Sequence, residues 1–542
     1  MTKLNLIVEG KFNGTDWADF SSDVMSISNV SSGMSGSNDA DRVANPGIFS
    51  FRLKNDINNS AGLLGYYSPG HTNCRSGFTV ALPIRIRFLF DGVYWVNWIG
   101  EIVPNGIDVT PGTYAERDVL VTGNDWFYHA STHEITTLAY ATSKRADEGI
   151  VLVNANMIAQ PDATLLDTGT YTFASIFGML RSKTTAISEF QKFAMSERGY
   201  IYLRNGTLVF ENRTHRDTLA AITLVSLPSS LCSSLLAEDD TILLAEDGTY
   251  LLAEDTQSVT FNNNMCEMKP EGFGDSLFNK VVYTVYPQEE FSDTLAVTQT
   301  RIALEAGETK TGIILSYRDP TGGAPSVTLK SIADPFPVSN TDYKMSANLD
   351  GTGTDLVAAL TPTFHTYANN TLVDIQNTGA TKGYVYLQVR GVGLRNYDKV
   401  SKITEDTTSQ TTYKQVRTLT IDAPYQNDPV VADTYSSIML NAHKDPHPAI
   451  ESVSFYTNTD EKRAVFLSTY IGARVTLEEE VSGIREDYFI QGISWTLLGY
   501  NADDGALIKF TWIVKPARLD VYQFAKWDTA GRGWESGYGW AP

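Results

Sequence analysis

Short runs rich in β-branched and aromatic residues fill residues 8–128, and each run ends at Gly, Pro, Asn or Asp. This pattern is typical of β-strands joined by tight turns. Within residues 48–53 and 84–88, apolar and polar residues alternate, so one face of each strand would pack in a core and the other would face solvent. The segment therefore predicts a small closed or nearly closed β-barrel, because closure buries short strands without leaving an unpaired edge.

The same region carries a series of motifs in a fixed order. They are Gly-Thr-Asp-Trp-Ala-Asp at 14–19 with Asp-Val at 23–24, Ile-Phe-Ser-Phe-Arg-Leu-Lys-Asn at 48–55, Ser-Pro-Gly at 68–70, Leu-Pro-Ile-Arg-Ile at 82–86, Trp-Ile-Gly-Glu-Ile at 98–102 and a strand that ends at Asp125. This order resembles the N-terminal domain of bacteriophage tail hub proteins, which are also described as minor tail or tail-tip proteins. The resemblance is distributed over the whole region, and no single motif is specific by itself.

Residues 184–213 carry a second resemblance to tail hub proteins. Thr184 or Thr185 can cap a helix with apolar residues at helical spacing, and Gly199 would end that helix. Asn205-Gly206 lies between two apolar runs, which is the strongest short signal for a β-hairpin. Ser-Glu-Arg-Gly at 196–199, followed by this hairpin, is similar to the corresponding place in tail hub proteins.

The later segments are also mostly strand-like. In residues 300–400, strands alternate with turn clusters in the manner of a β-sandwich, and hub-like tail proteins carry similar insertions. A short helix is expected at 434–442. The strand-like runs that follow it, at 450–456, 472–477, 487–495 and 507–514, resemble a second barrel of the hub family.

We therefore expect a mainly β, multi-domain chain with minor α content. The expected parts are a tube-like β-barrel at 1–130, an α/β domain with a helix, hairpin and meander at 131–299, an inserted β-sandwich at 300–400, a second tube-like β-barrel domain at 401–520 and an aromatic tail at 521–542.

Residues 235–255 repeat Leu-Leu-Ala-Glu-Asp every eight residues. Eight residues overshoot two helical turns, so the leucines would not share a helix face, whereas an even period keeps one face of a strand. We predict a three-stranded surface meander. Its acidic residues lack the Gly-rich spacing of calcium-binding repeats or of an EF-hand loop.

The tail contains more aromatic rings than a mobile chain end needs. They are Tyr522, Phe524, Trp527, Trp534, Tyr538 and Trp540. Contact with a neighbouring subunit and packing within the same chain both remain open.

Composition limits the function classes. The 542 residues suit three to five domains, and the net charge of −21 argues against a surface built to bind nucleic acid. The three cysteines, Cys74, Cys232 and Cys266, are too few and too widely spaced for a disulfide framework or a Cys-rich zinc site. We see no signal sequence and no apolar run near 18 residues, so neither ordinary export nor a membrane span is expected.

Catalytic motifs are not recognisable. His129 and His133 have helical spacing but lack a second His at the metalloprotease distance, and Pro446 interrupts His443 and His447. Neither a Gly-x-Ser-x-Gly elbow nor a phosphate-binding Gly-rich loop occurs. A glycosidase needs two carboxylates at a set separation, and the sequence alone cannot select a pair among 63 acidic residues. We therefore expect a non-enzymatic protein without catalytic, cofactor-binding or metal residues and without a cofactor; its binding residues are not predicted.

The resemblance implies a structural virion component at the phage tail tip, assembled in the host cytoplasm. A homotrimer with two tube-like units per chain would join a sixfold tail tube to a threefold tip. Its implied partners are the distal tail protein or tail tube, the tape-measure protein and tail fibres or spikes. It would open on host attachment and let DNA pass without stable binding. A tail-associated cell-wall hydrolase and a carbohydrate-binding β-protein are the alternatives.

Overall fold

The computed structural model describes residues 2–36, 40–110, 117–136, 138–177, 183–217, 260–261, 265, 267–272, 274–479, 481–501 and 505–519. Over these residues the chain is mainly β with minor α content, as predicted. The repeat at 235–255, the aromatic tail at 521–542, Cys232 and Cys266 lie outside the described residues.

The N-terminal half of the main sheet consists of seven strands. They are β1 (Asn5–Gly10), β2 (Ala18–Asp19), β3 (Val24–Gly33), β4 (Asn45–Lys54), β5 (Pro83–Phe90), β6 (Val93–Val109) and β7 (Asp118–Asn124). They pair in the order β2-β1-β5-β6-β7-β4-β3, and every pair is antiparallel. The predicted alternation is present, because Ile84, Ile86 and Phe88 on β5 are buried while the residues between them are partly exposed.

A helix and hairpin unit follows. Its elements are α1 (Phe127–Thr132), β8 (Ala141–Arg145), α2 (Ala146–Asn154), β9 (Ala163–Leu166), β10 (Thr172–Ile176), α3 (Ala186–Glu197), β11 (Tyr200–Arg204) and β12 (Thr207–Glu211). Thr185 caps α3, and Asn205-Gly206 turns the β11–β12 hairpin with positive φ at both residues, so both predictions are confirmed. The left-handed residue that ends α3 is Arg198, with φ 60°, rather than Gly199. Gly199 instead permits close packing, because a Cβ there would lie 2.3 Å from the Glu211 carbonyl oxygen.

Two further sheets enclose a core of their own. Their strands are β16 (Gln288–Val297), β17 (Ile302–Leu304), β18 (Thr309–Ser316), β19 (Ser326–Ile332), β20 (Tyr343–Ser346), β21 (Leu360–Thr366), β22 (Asn370–Asn377) and β23 (Gly383–Asn396). The long strand β23 pairs with β16, β17, β19 and β20, while β22 pairs with β18 and β21. Side chains from both sheets, including Leu304, Val373 and Leu387, form one buried cluster. We call residues 288–396 the sandwich unit.

The remaining elements surround this unit in the chain. They are β13 (Thr260–Phe261), β14 (Glu267–Pro270), β15 (Lys280–Val285), β24 (Val400–Glu405), α4 (Thr407–Tyr413), β25 (Thr418–Asp422), α5 (Pro429–His443), β26 (Ile450–Tyr456), α6 (Asp460–Ser468), β27 (Arg474–Glu479), β28 (Ile484–Asn501) and β29 (Gly505–Pro516). The helix expected at 434–442 is the longer α5, which Asp428 caps. The sheet β24-β15-β25 packs against α5. None of the helices in the described ranges is long and apolar enough to cross a membrane.

The prediction of two separate barrels differs from the structure. Strands of both segments pair into one thirteen-stranded sheet, and among the described residues no sheet is closed as a barrel. The reason is β28, whose 18 residues extend beyond β27, so that Gly492–Trp495 pair with β3. The C-terminal half, β14-β26-β29-β28 with β27 and β13, thereby continues the N-terminal half. A single bridge between Leu4 and Gly505 joins the two halves at a second place.

Candidate functional site

The two halves of the main sheet meet at a short antiparallel seam. Val30–Gly33 of β3 pair with Gly492–Trp495 of β28, and the Met34 amide donates to the Gln491 carbonyl at 2.9 Å. Gly33 has φ 106°, and a Cβ there would lie 2.4 Å from the Gln491 oxygen. The close approach of the two strands therefore requires glycine at this position.

Aromatic side chains close the space behind the seam. The Trp495 Nε1 donates to Asn97 Oδ1 at 2.6 Å, which links β28 to β6. The ring of Phe88 lies 5.2 Å from that of Phe466 and 5.6 Å from that of Trp495, measured between centroids. Buried residues of both halves consequently form one continuous hydrophobic core.

The helix and hairpin unit is attached to this joined sheet. The Ala44 amide donates to the Ile201 carbonyl at 2.8 Å, and the Ile201 amide donates to the Arg42 carbonyl at 2.9 Å. Glu211, at the end of the hairpin, is buried and accepts hydrogen bonds from Tyr202 Oη at 2.6 Å and Arg216 Nε at 2.7 Å. Burial and the adjacent Glu211 carboxylate raise the pKa of Tyr202, so its hydroxyl remains the proton donor. Removing Arg216 or Glu211 would leave a buried charge unpaired, so this ion pair holds the end of the hairpin in place.

Two acidic residues of the sequence motifs have clear structural roles. Asp23 is buried and accepts hydrogen bonds at 2.6 Å from the Ser60 amide, the Ser60 hydroxyl and the Tyr67 hydroxyl. It fastens the long loop between β4 and β5 to the start of β3. Asp125 accepts from the Phe127 amide at 3.0 Å at the start of α1. Burial raises the pKa of Asp125 from 3.8 to about 7, so this carboxyl group titrates near neutral pH.

The two conspicuous tryptophans of the motifs differ in burial. Trp98 is buried and packs against Phe49 with 4.6 Å between ring centroids. Trp17 is only partly buried. Its ring instead lies under two cations, with the Arg85 guanidinium 4.5 Å and the Lys11 Nζ 4.9 Å from the centroid.

The histidines occupy separate environments. His129 Nε2 lies 2.6 Å from Glu101 Oε1, and this hydrogen bond raises the pKa of the imidazole. His133 follows the last residue of α1 as its C-cap. His443 is buried, with Nδ1 2.9 Å from the Ser276 carbonyl, whereas burial lowers the pKa of His447. Over the ranges that the structure describes, no group of three or more His, Cys, Asp or Glu residues could hold a metal ion.

Two surface clefts lie along the seam. The first, of about 280 Å³, is bordered by β6, the hairpin turn and the segment after α6; its wall includes Trp95, Arg204 and Tyr470. The second, of about 410 Å³, lies where β3 and β28 diverge. Neither cleft could be predicted from a sequence motif, because both arise from pairing between segments that are more than four hundred residues apart.

The comparisons with known proteins concern overall structure. No protein-family model and no curated protein sequence matches the chain. Solved structures similar to it include a tail protein from Neisseria meningitidis MC58, with 10% identity, a TM-score of 0.44 and coverage of 94% of this chain and 96% of that one. The 43 kDa tail protein of prophage MuSo2 from Shewanella oneidensis has 9% identity, a TM-score of 0.44 and coverage of 95% and 99%. Prophage tail protein gp18 from Listeria monocytogenes EGD-e has 8% identity, a TM-score of 0.38 and coverage of 94% of both chains. All three are described as tail proteins.

Proposed function

We propose that the chain is a structural hub protein of a bacteriophage tail, which joins the tail tube to the tip or fibre apparatus. The observation that carries the proposal is the seam between β3 and β28, which makes two β halves of one chain a single continuous sheet. Closed rings are the usual form of homo-oligomers, and three chains that each hold two β halves side by side would present six units around one axis. Such a ring would match a sixfold tube while it keeps a threefold tip.

The same proposal extends to the partners and to the passage of DNA. The tail tube or distal tail protein, the tape-measure protein and fibres or spikes are the expected neighbours, and the location is the tail tip of the virion after assembly in the host cytoplasm. The net charge of −21 suits a conduit that lets DNA pass on host attachment, since negative walls repel phosphates.

The test is the oligomeric state and shape of the purified chain. Light scattering after size-exclusion chromatography should give three times the chain mass of 59.7 kDa. Class averages from negative-stain electron microscopy should show a ring with a central opening. A stable monomer, or a closed particle without an opening, would contradict the proposed hub function.

A zymogram on host cell wall separates the hub from the hydrolase alternative. We expect no cleared zone from the purified protein. A cleared zone that disappears on substitution of a single histidine or carboxylate residue, with assembly intact, would overturn the structural proposal.

A further inference from the structure

Below the seam, β3 and β28 diverge and leave an uncharged slot between them. Pairing of the two strands is limited to Val30–Gly33 and Gly492–Trp495, and the Thr496 hydroxyl donates one further bond to the Ser28 carbonyl at 3.0 Å. Beyond this point, among the described residues, neither strand has a pairing partner on the edge that faces the slot. The slot is lined by Leu6, Ser21, Ser22, Val24, Met25, Ser26, Leu497, Leu498, Gly499 and Tyr500.

The slot wall exposes large apolar side chains. Leu498 is 51% and Tyr500 is 54% exposed, and Met25 on the opposite strand is exposed as well. No lysine, arginine, aspartate or glutamate lines the slot. Unpaired strand edges next to exposed apolar residues form a surface that accepts another polypeptide.

The loop between β4 and β5 is held rigidly beside this slot. Asp23, which directly precedes the slot residue Val24, binds Ser60 and Tyr67 of the loop. Within the loop, the Asn59 side chain accepts from the Leu63 amide at 3.2 Å and donates to the Leu63 carbonyl at 2.6 Å.

This rigid loop also exposes apolar side chains. Ile57 is 68% exposed, and Leu63 and Leu64 are exposed beside it. Residues 55–82 contain only Asp56 and Arg75 as charged residues, apart from His71. The loop is therefore an ordered, nearly neutral element on a strongly acidic chain.

We propose that the slot and the loop form one docking surface, the seam face, for a second copy of this chain. The seam face is defined by Met25, Leu498 and Tyr500 in the slot and by Ile57, Leu63 and Leu64 in the loop. The proposal rests on the proposed hub, because a trimer requires a contact between copies.

The low charge of the seam face and the order of its loop both favour a second copy of the chain as the partner. Two chains that each carry −21 repel one another, so they associate best through surfaces that hold little charge. The residues that line the slot carry no charge, and the loop carries only Asp56 and Arg75. Since the hydrogen bonds that Asp23 and Asn59 accept already order the loop, association loses little conformational freedom there. No basic side chain is among the residues that line the slot, and the two lysines at its margin already contact the protein, Lys3 at the Tyr500 ring and Lys54 at the Ser22 carbonyl, so the slot fits polypeptide rather than nucleic acid.

The experiment compares the mass of the full chain with that of two charge-matched double variants. Met25→Glu with Leu498→Glu places two charges in the seam face. Ile158→Glu with Val481→Glu adds the same charge at residues that are 88% and 95% exposed elsewhere. We expect the wild type and the second variant to remain trimers in light scattering, and the seam-face variant to be monomeric over at least a tenfold range of concentration. Met25→Gln with Leu498→Gln should weaken association less, and circular dichroism should show all variants folded.

The possible outcomes distinguish the proposed docking surface from the proposed hub function. A seam-face variant that stays trimeric overturns the docking surface and leaves the hub standing, whereas a monomeric wild type overturns both. Equal loss of association in the two charge variants also overturns the docking surface, because the effect would then be one of net charge. Binding of the wild type to phosphatidylcholine vesicles, lost in the seam-face variant without a change in mass, would assign the surface to lipid and overturn the proposal.

Discussion

The C-terminal half of the main sheet and the sandwich unit are joined to the rest of the molecule in two different ways. At the seam, two halves that are far apart in sequence share strands and one hydrophobic core. The sandwich unit has its own core and contacts the helix and hairpin unit through side-chain bonds, such as Tyr140 Oη to Thr328 Oγ1 at 2.8 Å. The seam halves should therefore unfold together, while the sandwich unit should behave as an attachment.

Replacement of Trp98 by alanine should have the largest effect. Loss of a fully buried tryptophan lowers the free energy of unfolding by about 3–5 kcal/mol, and because the core is shared, both halves should lose stability in one transition. Urea unfolding followed by circular dichroism measures this change. The partly buried Trp17 provides the control, since Trp17→Ala removes two cation contacts and should cost about 1–2 kcal/mol. Two separate transitions in Trp98→Ala would show that the halves are independent.

A side chain at the seam should have the next largest effect. A Cβ at Gly492 would lie 2.7 Å from the Met34 carbonyl, so Gly492→Val should lower the free energy of unfolding by about 1–3 kcal/mol. On the same strand, nothing lies within 4 Å of a Cβ at Gly499, and Gly499→Val should leave the melting temperature almost unchanged. Equal effects of the two substitutions would mean that the seam is not closely packed.

Replacement of Asp125 by asparagine should change the pH dependence of stability. The folded-state pKa of Asp125 is about 7, above the ordinary value of 3.8, so between these pH values the folded state retains a proton that the unfolded state has released. The free energy of unfolding therefore falls as the pH rises through this window, and Asp125→Asn should remove that part of the slope. Melting temperatures of both proteins from pH 4 to pH 8 give the difference. Parallel curves would contradict the assigned pKa.

Removal of the sandwich unit should have the smallest effect on the rest of the molecule. Gln288 Nε2 donates to Asn396 Oδ1 at 2.7 Å, so the ends of the unit are adjacent. Deletion of residues 289–395 with a short Gly-Ser linker should leave a folded protein of the same oligomeric state. A deletion of 307–395 is the matched comparison, and it should aggregate because β16 and β17 would lose their partner β23. Collapse of the 289–395 deletion would show that the sandwich unit supports the core.

Local patterns predicted the local structure. Alternation identified β4 and β5, and Asn205-Gly206 with Thr185 identified the hairpin and the start of α3. Helix α6 was not predicted. Its apolar residues come soon after β26 and show no distinct helical period, although Thr459 caps the helix. The pairing of β3 with β28 could not be predicted either. Ser31-Ser32-Gly33 looks like the end of any strand, and nothing in one segment specifies a partner near the other end of the chain.

The position of the seam has a consequence for synthesis of the protein. The Thr496 hydroxyl and the Ser28 carbonyl that it binds are 468 residues apart. At about 5–20 residues per second, a ribosome needs roughly 20–90 s to reach β28 after it has made β3. Throughout this time the nascent N-terminal half exposes the edge of β3, which could pair with other nascent chains. The exposed edge of β3 carries polar side chains, at Ser28, Asn29, Ser31 and Ser32. These side chains make β3 poorly suited to aggregation before β28 has been synthesised.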